Sequence, residues 1–156
     1  MHFAYMVTCL ALTFAFPIGG EPKAEFEVYA RPYFVKNNAP LPTNPAYLIV
    51  NDKKAFDEIF GVAFVMGQKP KLVGETLFEK NRILVVVKSG NFLATYKVED
   101  VRIDKRQLQL KYTATDKGPT SARFNSPLIV AVPRGDYDEV AFIENGKEAA
   151  RQKLKK

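Results

Sequence analysis

Five consecutive aliphatic residues, Ile83-Leu84-Val85-Val86-Val87, restrict this chain more than any other stretch. Along a strand, successive side chains point to opposite faces, so an unbroken apolar run belongs to a strand covered on both. The clearest helix, Asn51 to Gly61, can supply one cover. Asn51 or Asp52 can cap its start, and Ala55, Phe56, Ile59 and Phe60 fall on one face. Gly61 offers a left-handed stop.

The remaining pattern is β. Glu25 to Val35 reads as an aromatic edge strand broken by Pro32, and residues 37 to 46 (NNAPLPTNPA) as an extended loop. Tyr47 to Val50 is a short strand, and Phe64-Val65-Met66 is another candidate. Lys88-Ser89-Gly90-Asn91 predicts a hairpin turn after the aliphatic run. Phe92 to Ile103 alternates, with a change of parity at Glu99-Asp100 that predicts a bulge. Asp104 to Gln107 is a turn, and Leu108, Leu110, Tyr112 and Ala114 alternate with polar residues as in a half-buried antiparallel strand. Thr115 to Ser121 is a loop, and Leu128–Val132 and Glu139–Ile143 are further strands. The expected fold is mainly β (β-rich α+β): an antiparallel sheet, sandwich or open barrel of about seven strands with one amphipathic helix packed on it.

The chain opens with sixteen uncharged residues, Phe3 to Ile18, followed by Gly19-Gly20 and the polar Glu21-Pro22-Lys23. That is short for a spanning helix, which needs about 20 apolar residues. It has the length of a secretory signal, so residues 1–20 are expected to be removed on export to the cell envelope or medium. Residues 21–46 then form an N-terminal strand and Pro-rich segment, 47–146 a β-rich domain, and 147–156 a basic tail. His2 and Cys9, the sole histidine and cysteine, would leave with the signal. A mature chain without them has no Ser-His-Asp or Cys-His site, no zinc site of imidazole and thiolate, and no disulfide.

The net charge of +6 lies wholly beyond residue 20, and Lys147 to Lys156 holds five basic residues against Glu148. This weakly helical tail is expected to be solvated. Arg134-Gly135-Asp136 has the letters of an adhesion tripeptide, but Pro-Arg-Gly-Asp also suits a hairpin connection. Asp136, Asp138 and Glu139 offer oxygens to calcium without the twelve-residue loop that would organise six to eight of them. Tyr29, Tyr33, Phe34, Tyr96 and Tyr112 could stack on bases, although strand aromatics more often fill cores or pair across strands. Phosphate-cradling Gly-rich loops are missing from the sequence.

AFDEIFG (Ala55 to Gly61), RILVVV (Arg82 to Val87), RFNSPLIVAVP (Arg123 to Pro133) and the closing VAFIENGK (Val140 to Lys147) occur in that order. Together they resemble the small secreted bacterial domains related to the C-terminal domain of the PrcB-type protease-complex subunit. Tyr96 stands where such domains carry the tyrosine of a Gly-Gly-Tyr. The resemblance spans roughly Ile49 to Lys147. It implies an exported, non-catalytic β-rich module that binds or stabilises another protein, a protease among the candidates.

The sequence therefore favours a binding module without catalytic residues, cofactor, metal or nucleic-acid partner, monomeric or weakly oligomeric. Contact is expected through rim loops or an edge strand. The loops Thr115–Ser121 and Arg134–Asp138 are the expected surface, with Lys117, Arg123, Arg134 and Asp136 as polar contacts and Tyr137 as the aromatic anchor. Two alternatives stand beside it. One is an envelope protein tethered by a retained N-terminus, the only case in which the sequence calls for membrane contact. The other is a hydrolase working through carboxylates or a hydroxyl–lysine pair.

Overall fold

The computed structural model describes residues 23–29, 32–64, 66–67 and 69–154. The apolar N-terminal segment, with His2 and Cys9, lies outside the described residues, as do Lys155 and Lys156. Ten strands and two short helices follow in the order β1 (Glu27–Val28), β2 (Tyr33–Val35), β3 (Ala46–Val50), α1 (Lys53–Ile59), β4 (Phe60–Val62), α2 (Leu77–Lys80), β5 (Asn81–Gly90), β6 (Leu93–Asp104), β7 (Gln107–Lys117), β8 (Phe124–Pro133), β9 (Glu139–Glu144) and β10 (Lys147–Lys153). The fold is mainly β, as the alternation in the sequence predicts.

Two four-stranded sheets face each other. The first has the order β1-β8-β5-β3 and the second β10-β9-β7-β6, while β2 and β4 form a separate ribbon. The aliphatic run is β5, and its alternate residues enter two different cores. Leu84 and Val86 join Leu128, Val130 and Val132 of β8 against Leu108, Leu110, Tyr112, Val140 and Phe142 of the second sheet. Ile83, Val85 and Val87 face the other way, onto Phe56, Phe60, Phe78, Tyr33 and Val73. The two-sided cover expected for this run is thus a sheet on one side and, on the other, a layer of α1, α2 and the ribbon.

The helix begins where its cap predicts: Asp52 accepts the Ala55 N–H at 2.8 Å. It ends earlier than expected. Phe60 turns extended (φ −113°, ψ 141°) as its ring packs 4.8 Å from that of Phe56. Gly61 is therefore a strand residue paired with Phe34 rather than a left-handed stop. Its missing side chain makes room for the Phe34 ring, whose Cζ would lie 2.4 Å from an added Cβ.

Several junctions differ from the sequence reading. The N-terminal strand is two strands in different sheets, because β1 pairs with β8 and β2 with β4. Lys88 to Gly90 continue β5, and no hairpin follows. After Asn91 and Phe92 the chain crosses to the second sheet, where β6 pairs with β7. Likewise Arg134–Asp138 carries the chain from β8 in the first sheet to β9 in the second. There β9 lies parallel to β7, so the sheets are not wholly antiparallel. Among the described residues Phe64 and Met66 lie outside any strand. The bulge is found where parity changes, between Val98 and Asp100.

The basic tail is the largest correction. Lys147 to Lys153 form β10, an edge strand paired with β9 through a turn at Asn145 (φ 49°) and Gly146 (φ 78°). Both turn residues adopt left-handed backbone, the geometry that joins twisted strands across a two-residue loop. Ala150 and Leu154 pack against the inter-sheet core. Helix-favouring Glu148-Ala149-Ala150 is thus overridden by pairing with a strand already in place.

Phe56 is fully buried and joins α1 to β5, so Phe56→Ala is expected to cost about 3–5 kcal/mol. Chemical denaturation with an unchanged m-value would check this.

Candidate functional site

The residues singled out in the sequence fall into two groups at opposite ends of β8. Arg123 immediately precedes this strand and Arg134 immediately follows it, about 35 Å apart at the usual strand rise. Lys117 lies at the Arg123 end, since it pairs with Leu93, and Asp136 lies at the Arg134 end. The two loops therefore do not form one surface.

At the Arg134 end the polar groups serve the fold. The Arg134 guanidinium donates through Nε to the Phe78 carbonyl at 3.0 Å and through Nη2 to the Asn51 carbonyl at 2.9 Å, joining both helices to β8. Arg106 donates to Asp136 at 2.8 Å and to both oxygens of Asp138 at 2.7 and 2.9 Å. Those hydrogen bonds and charges push the Arg106 guanidinium above its usual range, Asp138 contributing most. Glu139 accepts from Gln107 and Arg151. The calcium reading finds no support here, as no three His, Cys, Asp or Glu side chains cluster among the described residues.

Tyr137 is not an exposed anchor. It is 4% exposed, belongs to the inter-sheet core, and donates its hydroxyl to the Pro133 carbonyl at 2.8 Å. The Arg82 guanidinium lies 5.2 Å from its ring centroid. The ring turns inward because the crossover between sheets leaves a gap at the end of the core that an aromatic fills. The stacking face does not form either: Tyr29, Tyr33 and Tyr112 are buried, and Tyr96 packs edge-on against Tyr112 at 6.1 Å.

A more open site lies at the other end, at a corner between the sheets. On one side β8 pairs with β5 along its whole length, whereas on the other β1 covers only Val130 and Ala131. The Tyr29 N–H reaches the Ile129 carbonyl. The edge of β8 from Phe124 to Leu128 is in no ladder with a described strand on this side, although β2 and β6 both approach β8. The same holds for β6 from Leu93 to Val98, since the N-terminal segment touches this strand only at Val101 and Arg102. Between these edges runs a groove of about 380 Å³, lined by Val28, Leu93, Tyr96, Phe124, Pro127 and Leu128. Val28 and Leu93 are 42% and 43% exposed.

Beneath the groove a polar cluster fixes the corner. Ser126 accepts the Ala94 N–H at 3.0 Å through its hydroxyl oxygen, and its carbonyl accepts the Tyr96 hydroxyl at 2.9 Å. Behind Tyr96, the Tyr112 hydroxyl donates to Glu144 at 3.0 Å, and Lys88 donates to the other oxygen of Glu144 at 2.6 Å. Asp116 lies 3.7 Å from the same ammonium. Burial, foremost, and the Glu144 charge raise Tyr47, Tyr96 and Tyr112 above the usual phenol range. The hydroxyls stay neutral donors and the Lys88–Glu144 pair spans the two sheets. The arrangement offers apolar walls, two strand edges and few polar groups, which suits binding of an extended chain.

No family model, curated protein or solved structure matches this chain. The sequence held no local sign of the groove, because Val28, Leu93 and Phe124 meet only through long-range pairing.

Two outcomes follow from these surroundings. Tyr137→Ala should lower stability by about 3–5 kcal/mol, as for other buried aromatics, giving a large fall in Tm. In addition, Tyr29 is raised to about 12 by burial and its bond to Glu27, alongside Tyr47, Tyr96 and Tyr112. Phenols with folded pKa values above the unfolded value near 10 contribute stability that is complete below that pH and lost as pH rises through the folded values. Tm should therefore hold steady up to about pH 10 and fall steeply towards 12, with tyrosinate absorbance appearing together with unfolding.

Proposed function

We propose that this protein is a non-catalytic, exported binding module that holds an extended segment of a partner protein in the corner groove. The observation that carries this reading is the pair of unpaired edges on β6 and β8 with apolar walls between them. Such a segment would lie in the groove along Phe124–Leu128, between β8 and β6. Main-chain hydrogen bonds to a strand edge supply affinity, and alternate side chains entering the groove supply selectivity. About five residues fill this length. The uncharged N-terminal stretch supports export to the cell envelope or medium, and the resemblance to PrcB-type domains supports a protease as the partner class. Lys117 and Arg123, both exposed, are next to the groove residues Leu93 and Phe124 by strand pairing and by sequence, and their charges would favour an acidic flank on the segment. Arg134, Asp136 and Tyr137 take no part.

A phage library of random peptides panned against the full chain tests this. Selected sequences should alternate apolar and polar residues, and Leu93→Arg and Val28→Arg should each weaken their binding at least about tenfold. Tm should change little, since both side chains stand well exposed. Peptides that bind both variants as tightly as the parent chain would sink the reading.

A further inference from the structure

Large apolar side chains are exposed at two places among the described residues. Val28 and Leu93 belong to the groove. The other four, Phe34 (48% exposed), Phe64 (76%), Met66 (98%) and Leu72 (44%), lie on the β2–β4 ribbon and the loop that follows it. The base of this loop is firmly held: Ala63 donates to the Pro32 carbonyl at 2.9 Å, and the buried Val73 donates its N–H to the Tyr33 hydroxyl at 2.6 Å. Between those ties Phe64, Met66 and Leu72 are exposed. The loop's charge is of one sign, because residues 61–74 contain Lys69 and Lys71 and neither Asp nor Glu. Lys71 remains 70% exposed while pairing with Glu27 at 2.5 Å.

We infer that this loop docks the protein on an anionic lipid bilayer, with Phe64 and Met66 entering the interface and Lys69 and Lys71 meeting the headgroups. A convex apolar tip behind a basic collar is complementary to a soft apolar medium bounded by negative charge. The contact is independent of whether the N-terminal segment is retained, and it uses a different surface from the groove.

The chain contains no tryptophan, so Phe64→Trp reports on this position alone, whatever the N-terminus does. Full-length Phe64→Trp is mixed with vesicles of phosphatidylglycerol and phosphatidylcholine whose acyl chains carry bromine. Its emission should shift to the blue and be quenched, whereas a tryptophan introduced by Thr113→Trp, on the outer face of the second sheet, should not respond. Adding Lys69→Glu and Lys71→Glu to Phe64→Trp should weaken the response at least about tenfold. Emission that stays solvent-like while the chain sediments with the vesicles would overturn the proposal. So would a blue shift in buffer alone that grows with protein concentration, which would make a second copy the occupant. An equal response on pure phosphatidylcholine, insensitive to the two charge reversals, would also overturn it.

Discussion

The burial of the first sheet on both faces underlies the rest of the structure. Because β5 and β8 expose neither face, their side chains divide by parity between two cores, and a one-residue slip would exchange the contents of both. That register is fixed over ten residue pairs from Asn81↔Pro133 to Gly90↔Phe124. Packing on these two strands sets the position of the elements attached to them. The helix layer docks on one side and the second sheet on the other. The ion pair of Lys88 with Glu144 is then drawn between the sheets by strands whose places are already determined.

The same constraint explains the division of labour between the two ends of β8. At the end holding Arg134, the crossover to β9 closes over the core, and its arginines and aspartates are consumed in joining elements. Toward the Arg123 end the chain enters β8 from an exposed loop, and the strand that might have covered the edge is only two residues long. A closed pole and an open one result. Polar residues that look available in the sequence are bound at the closed pole, while the open pole presents apolar walls and backbone.

Much of the fold was legible because local pattern and tertiary environment agree. The run Ile83 to Val87 required two layers, Asp52 marked the helix start, and the parity change after Val98 marked the bulge. Where they conflict, local pattern misled. Lys-Ser-Gly-Asn after the aliphatic run has hairpin chemistry, yet only the identity of the next pairing partner decides between a hairpin and a crossing to another sheet. Glu148-Ala149-Ala150 favours a helix in isolation, although Asn145-Gly146 just before it is a strong hairpin signal. Tyr137 sits between aspartates in a turn, surroundings that speak for exposure, but a turn spanning the end of a core can direct one ring inward. The groove was the least legible part, since its walls come from residues 28, 93 and 124, brought together only when both sheets form.

The topology also carries a consequence for how such a chain emerges into a compartment. The first strand pairs with β8, more than a hundred residues later, at Glu27↔Ala131, and β7 finds its parallel neighbour only in β9. Contacts so distant in sequence are slow to form, because much of the chain must be ordered before they repay its loss of freedom. Neither four-stranded sheet can be completed by an N-terminal portion of the chain. A chain threaded through a translocation pore from its N-terminus would remain extensible until its last third had passed.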